Sequence, residues 1–420
     1  MKISPVTDGI YRLSANAENI LFEGLWPIPN GVSMNSYIVQ GEKTAIIDGV
    51  CGWDGVPETL FSQFGEAGID VNSIDYVVIN HMEPDHSGWL EEFRCIRPDF
   101  VIVTGKKAVP MLESFYGIKN EVIEVGDGDT LDLGAGKILS FAEIPNVHWP
   151  ETIATFDTDS GTLFSCDAFG SFGAISDAPY DDQLSPEQID FFEAEAVRYY
   201  ANIVAAFSTP VKKAIEKCGS LPIKIVAPGH GIVWRRDPHK IINDYRRYAD
   251  YQKGPARDEI TLIWGSMYGM TEKAVAPAVE ALESAGAKVH VHRVPESSWG
   301  DILASVWTST GVVLAMPTYE YKMFPPMAAV LDELGKKKVQ NRKAFRFGSY
   351  GWSGGAQKEL DEIIKRWKMN WEFLEPLEFK GSPGGEDIDT IRSRCRELAR
   401  VVNKDGWYTP GIKKGDYCIS

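Results

Sequence analysis

Residues 80–88 read Asn80-His81-Met82-Glu83-Pro84-Asp85-His86-Ser87-Gly88 and directly follow the apolar run Asp75-Tyr76-Val77-Val78-Ile79. Four side chains able to bind a metal, His81, Glu83, Asp85 and His86, therefore fall within six residues of a loop that leaves a strand. Three further candidates share that context. His148 follows an apolar run ending near Ile144, Asp167 follows Gly161-Thr162-Leu163-Phe164-Ser165-Cys166, and His230 follows Ile223-Lys224-Ile225-Val226-Ala227-Pro228-Gly229. Side chains leaving the carboxyl ends of strands are gathered along one edge when the strands form a sandwich. A lone histidine near a strand end is an ordinary hydrogen-bonded residue. The set is different, because it uses four of only seven histidines. The remaining three, His239, His290 and His292, read as structural or exposed.

Neutral imidazoles and carboxylate oxygens without thiolate suit iron or manganese better than structural zinc. Seven ligands exceed what one tetrahedral ion takes, and they fit two metals bridged by one carboxylate, with open positions for a small substrate.

Around this constellation the first half reads as short β-rich runs at 35–39, 44–47, 76–79, 100–103, 138–142 and 162–165, with helices at 57–64 and from 186 to about 217. Gly, Asp, Asn or Pro punctuate most of the runs. The pattern predicts strands in two layers with helices outside. The polar segment 251–258, with Gly254 and Pro255, marks a boundary. Beyond it, strands are expected at 259–264, 288–293, 311–316, 343–348 and 372–379, alternating with helices at 271–284, 299–308, 325–334, 355–367 and 386–403. Five such β/α units predict a doubly wound parallel sheet. The reading divides the chain into 1–252, 258–403 and a C-terminal surface tail, 404–420.

Three loops of the second half stand at strand ends. Ser266, Met267, Tyr268, Gly269, Met270 and Thr271 open the first helix, where hydroxyls and backbone N–H groups suit a phosphate. No lysine is present there, so the loop is not a P-loop. Pro317, Thr318, Tyr319 and Glu320 follow the third strand. Ser349, Tyr350, Gly351, Trp352, Ser353 and Gly354 follow the fourth. In this topology the three loops meet at the switch point, where their aromatic and glycine residues suit a flat ring.

The run H-x-E-x-D-H, with sixty-one residues intervening before His148, eighteen between His148 and Asp167 and sixty-two between Asp167 and His230, resembles the di-iron domain of flavodiiron proteins. The second half is similar to flavodoxin in its FMN loops, and both halves occur in that family's order. The resemblance implies an N-terminal αββα metallo-β-lactamase-like sandwich (α+β), followed by a flavodoxin-like doubly wound parallel five-stranded sheet (α/β). In hydrolytic relatives the motif is H-x-H-x-D-H, and Glu83 stands where they have their second histidine. By resemblance, His81, Glu83 and His148 ligate one iron, Asp85, His86 and His230 the other, and Asp167 bridges. The same likeness implies reduction of dioxygen to water or of nitric oxide to nitrous oxide through FMN and two Fe ions. It also implies a head-to-tail homodimer or dimer of dimers.

The electron donor is expected to be external, a rubredoxin-like protein or a reduced deazaflavin or nicotinamide coenzyme, because no C-x-x-C pair marks an appended rubredoxin. A basic group, Lys336, Lys337, Lys338, Arg342 and Lys343, is a candidate for steering an acidic donor. Asn35, Tyr37, Trp149 and Pro150 are candidates for shaping the metal pocket, and the segment 21–31 carries Glu23, Leu25 and Trp26 but no histidine where many relatives have one. The alternative reading is a zinc-dependent metallohydrolase with a regulatory flavodoxin domain. A weaker one is an electron carrier with a vestigial metal domain.

Composition is compatible with all of these. A net charge of −16 leaves no basic footprint for nucleic acid. No apolar run approaches the ~18–20 residues of a spanning helix, and no secretory signal is evident. The six scattered cysteines do not form a disulfide framework, which predicts a cytoplasmic setting.

Overall fold

The computed structural model describes residues 3–119, 121–176 and 178–405. Its chain divides into two compact units, Met1–Ala249 and Asp250–Ser420. The expected tail lies outside the described residues from 406 onward, as does Cys418.

In the first unit a seven-stranded sheet runs in the order Ser4–Thr7, Ile10–Ala17, Val32–Gln40, Thr44–Ile47, Ile74–Ile79, Val101–Gly105 and Val122–Val125. A five-stranded sheet runs Thr130–Asp132, Ile138–Glu143, Ile153–Asp157, Thr162–Cys166 and Ile225–Pro228. Strand periodicity explains the layering. Val78, Ile47, Val39 and Val103 join Leu139, Phe141, Phe164 and Ile225 of the second sheet in one core. Their neighbours Val77, Ile79, Ile46, Ile38 and Ile102 face the other way, onto Leu60, Phe64, Leu90, Phe93 and Leu112 from helices. A strand buried on both faces reads as a continuous apolar run, as Tyr76-Val77-Val78-Ile79 does. On the outer side of the second sheet, Leu163 and Ala154 meet Val211, Ile215 and Cys218 of helix Ser208–Cys218. This is the expected αββα sandwich.

The predicted helix from 186 to 217 is interrupted. Pro186–Tyr199 begins with a Ser185/Gln188 capping box, then passes through a π turn at Tyr200–Val204 and a 3-10 turn at Ala205–Phe207 before Ser208–Cys218. Pro210 lies in the first turn of the last helix, where its missing N–H is harmless. The opening hairpin, the strand Ile153–Asp157 and the helices Leu90–Ile96 and Val109–Tyr116 were not anticipated.

The second unit is a parallel sheet in the order Lys288–Arg293, Arg257–Trp264, Ser309–Ala315, Lys343–Tyr350, with the last strand outermost. Numbered along the chain this is 2-1-3-4-5, the flavodoxin-like arrangement. The fifth strand, expected at 372–379, is two pieces, Glu372–Phe373 and Leu377–Lys380, both paired with Lys343–Tyr350. Pro376 between them has no N–H for the ladder. The basic group also needs correction. Arg342 is fully buried and donates to the carbonyls of Tyr251 (2.7 Å), Trp307 (3.1 Å) and Gln340 (2.6 Å), so it takes no part in a charged surface. Burial pulls its pKa down to about 9. Lys336 and Lys343 pair with Glu333 and Glu372.

Candidate metal centre and flavin pocket

The strands Thr44–Ile47, Ile74–Ile79, Val101–Gly105 and Val122–Val125 are parallel neighbours, so their carboxyl ends share one edge. Thr162–Cys166 and Ile225–Pro228 are likewise parallel. Loops from both sheets bring all seven expected side chains together. Glu83 precedes a single helical turn, Pro84–Ser87, which carries Asp85 and His86. Ser87 Oγ donates to a backbone carbonyl at 2.9 Å (Met82) and contacts Tyr116 Oη at 2.8 Å, tying the turn in place.

Two groups form within this cluster. His81, Glu83, His148 and Asp167 present atoms within 4.8 Å of one another, as do Asp85, His86 and His230. Asp167 joins them with one oxygen to each side. Its Oδ2 lies 3.4 Å from His81 Nε2 and 3.2 Å from His148 Nε2, while Oδ1 lies 2.9 Å from His86 Nε2 and 3.3 Å from His230 Nε2. Glu83 Oε2 is 2.8 Å from His148 Nε2 and 3.2 Å from His81 Nε2. Asp85 reaches His230 at 3.3 Å. All four histidines turn the same ring nitrogen, Nε2, inward.

Electrostatics fit a cation at the centre. Burial disfavours charge on each group, yet the opposing charges prevail. Hydrogen bonds to Asp167 and Glu83 raise His148 to about 10, and Asp167 and Asp85 raise His230 to about 9. Glu83 falls to about 2 beside His148 and His81, and Asp167 falls well below the carboxylate range. The ion pairs aside, Asp85 Oδ1 and Oδ2, Asp167 Oδ2 and His230 Nε2 are buried without a hydrogen bond. Divalent metal would replace the protons that such imidazoles otherwise hold. The donor set, nitrogen and oxygen with both halves sharing one carboxylate, suits a pair of ions.

The outer nitrogens are oriented by groups that sequence reading missed. Glu151 Oε1 takes the Nδ1 of His81 (2.8 Å) and the Met82 N–H (3.0 Å), and His230 Nδ1 meets the Ser33 carbonyl at 3.1 Å. His86 Nδ1 faces Cys166 Sγ at 3.9 Å, with Asp48 beside them. Asp48 stands just after the strand Thr44–Ile47, the same signal that exposed the ligands, but it was not used. Asn35 and Tyr37 do not line the pocket. Asn35 Nδ2 donates to the carbonyls of Pro228 and Gly231 (both 2.9 Å) and Tyr37 Oη to that of Pro228 (2.7 Å), clamping the His230 loop. Trp149 packs edge-on against His81. A cavity of about 260 Å3 opens beside Glu83 and Asp85, walled by Phe22, Glu23, Cys51 and Trp53. Tyr199 lies behind His230, its hydroxyl buried without a hydrogen-bond partner.

In the second unit the three expected loops enclose a cavity of about 450 Å3. Thirteen of the sixteen anticipated residues line it; Gly269, Thr271 and Gly354 do not, and Tyr321 and Gly381 are additions. Thr271 instead fastens the first loop to the third, its hydroxyl 3.0 Å from Ser349 Oγ. Gly381 was legible as the turn Gly381-Ser382-Pro383 after the last strand. A side chain at Gly348 would place Cβ 1.7 Å from the Met316 carbonyl, so only glycine lets the third and fourth strands end side by side. Tyr268 and Trp352 are 87% and 74% exposed, leaving apolar rings in water.

Residues 32–231 match a family described as ODP family beta lactamase. The chain is 37% identical to an anaerobic nitric oxide reductase flavorubredoxin of Pectobacterium carotovorum over 88% of this chain and 72% of that one. Its fold is similar to the rubredoxin oxygen:oxidoreductase of Desulfovibrio gigas, with TM-score 0.88, 27% identity, and coverage of 96% and 99% of the two chains. A flavodiiron protein from Giardia intestinalis aligns with TM-score 0.89 at 25% identity, covering 96% and 97%.

Proposed function

This chain belongs to the flavodiiron family, and we infer that it is an oxidoreductase passing electrons from an external donor, through FMN and two irons, to dioxygen or nitric oxide. We further propose that His81, Glu83 and His148 hold one iron, that Asp85, His86 and His230 hold the other, and that Asp167 bridges them. The observation that carries this assignment is the division of the Asp167 oxygens between two histidine pairs. When bound, the flavin and irons supply the electron storage and the open coordination that the reaction needs.

The protein's own residues position and shield. Glu151 and the Ser33 carbonyl fix the histidine rings so that Nε2 faces inward. Phe22 and Trp53 wall an opening large enough for a diatomic gas. Tyr199 packs its ring against His230 and keeps a buried hydroxyl without a hydrogen-bond partner beside the cluster. In the other unit, Ser266 and the first loop at Met267, Tyr268 and Met270 suit the FMN phosphate, and the loops at Pro317–Glu320 and Ser349–Ser353 suit the ring. Zinc hydrolysis is not favoured, since Glu83 supplies oxygen where a hydrolase of this fold has imidazole and the relatives are reductases.

We propose that two copies pair head to tail, each flavin serving the partner's metal site; the exposed Tyr268, Tyr321 and Trp352 support a covered face there. The donor is proposed to be rubredoxin-like. No helix among the described residues is long and apolar enough to cross a membrane. A cytoplasmic setting is supported by five free cysteines among the described residues.

The test is metal analysis followed by anaerobic reduction and separate additions of each gas. Two irons per chain and electrons consumed on adding a gas are expected, and Asp167→Ala should abolish both paired-iron occupancy and turnover. Two zincs with no electron consumption would overturn the reading.

A further inference from the structure

The strand Lys343–Tyr350 buries two arginines' worth of charge in and beside it, and the two are treated differently. Arg342, just before the strand, spends its guanidinium on backbone carbonyls. Arg346, inside the strand, is also 0% exposed, but its Nε and Nη2 have no hydrogen-bond partner. Phe345 and Phe347 on either side enter the apolar core, so alternation turns Arg346 to the opposite face. A guanidinium there needs a counter-charge, because an unpaired buried ion is costly. Glu378 provides it, with Oε1 2.8 Å from Arg346 Nη1.

Glu378 lies on the outer strand Leu377–Lys380, opposite Gly348 in register. Its second oxygen lies close to Gly354: a Cβ built there would stand 2.9 Å from Glu378 Oε2, so a side chain at 354 would crowd the carboxylate. Gly354 closes the loop that begins at Ser349 and whose residues 349–353 line the 450 Å3 cavity. The contact path therefore runs from Arg346 to Glu378 to the floor of that loop. Burial lowers the pKa of Arg346, and Glu378 and then Asp361 oppose that shift.

We propose that the buried Arg346 and the solvent-facing Glu378 form an ion pair that sets the position and the local potential of the 349–354 loop, and so the affinity and midpoint potential of the FMN bound beside it. Arg346 is a positioning residue here, acting through Glu378. The proposal rests on the reading that FMN occupies this cavity. Reduced flavin carries added negative charge, so a cation beneath the loop favours it and a bare carboxylate opposes it.

The experiment uses the full chain, stripped of FMN and titrated with it by fluorescence quenching, and then reduced in a spectroelectrochemical cell. Arg346→Met should weaken FMN binding about tenfold, equivalent to about 1.4 kcal/mol, and lower the midpoint potential. Glu378→Gln should move the potential upward. Arg346→Lys should restore most of the wild-type value. Opposite shifts from the two partners are a signature that general loosening of the fold does not produce. Unchanged binding and potential in folded Arg346→Met, or shifts of the same sign in both variants, would overturn the proposal. Should Arg346→Met fail to fold, Glu378→Gln decides alone: an upward shift supports the ion pair and no shift refutes it. If the unaltered chain does not bind FMN in this cavity, the flavin assignment falls instead.

Discussion

The metal-site edge of the first unit and the flavin-site edge of the second use the same geometry, loops at the carboxyl ends of parallel strands, with opposite consequences for burial. In the first, six of the seven converging ionisable side chains are buried and Glu83 is nearly so. In the second, two rings beside the cavity, Tyr268 and Trp352, stand mostly in water. A metal cluster needs charged ligands held against their mutual repulsion and their desolvation, which demands a shell of orienting groups such as Glu151, Ser33 and Asn35. A flavin is large and amphipathic, so an open cavity with backbone donors and exposed rings serves, provided that the strand ends are correctly spaced. The first site is thus fragile toward loss of one charge, and the second toward steric intrusion.

That contrast can be broken at its strongest point by removing a charge outside the ligand set. Glu151→Gln keeps the shape against His81 but exchanges a carboxylate for an amide. Iron affinity, measured by chelator competition, should fall about 10- to 100-fold, with FMN content unchanged. Unaltered iron affinity would mean that the metal site tolerates charge loss after all.

The steric half of the comparison is tested by Gly348→Ala. A methyl group 1.7 Å from the Met316 carbonyl must push apart the strand ends that carry two of the flavin loops. Denaturant titration should show a loss of about 1–3 kcal/mol, together with weaker FMN binding and normal iron content. Normal FMN affinity would show the cavity to be more compliant than its strand spacing implies.

The smallest effect concerns a charge that belongs to neither set of site residues. Glu259 holds Lys288 at 3.0 Å and His290 at 2.8 Å. Burial opposes its ionisation, but those two partners lower its pKa from 4.5 to about 2. A carboxylate depressed in this way stabilises the folded chain above pH 4.5, and that contribution disappears as the pH falls toward 2. Glu259→Gln should therefore lower the melting temperature modestly at neutral pH and converge with the unaltered protein in acid. An equal difference at pH 7 and pH 2 would refute the linkage.

Much of this was legible beforehand where chemistry is dense in the sequence. The run His81 to His86 compresses four candidate ligands into one loop, and the strands of the second unit are bounded by Gly, Pro and Asn, so 288–293 and the helix at 299–308 match the structure residue for residue. Legibility failed where partners are far apart in the chain. Glu151 looks like any surface glutamate until the fold sets it against His81, seventy residues away. Arg342 reads as part of a basic surface because lysines stand near it in the sequence, and only the distant carbonyls of Tyr251 and Trp307 show why it is inside. The split fifth strand was readable from Pro376, since a missing N–H is a local property.

By itself, then, the sequence determined the layered architecture, the order of the two units and the identity of the side chains available to bind metal, because periodicity and local residue chemistry act over short stretches of chain. Which oxygen of Asp167 faces which histidine pair, and which acidic groups steady the outer ring nitrogens, was decided only by tertiary structure. Those contacts join loops scores of residues apart, and no local pattern encodes the distance between them.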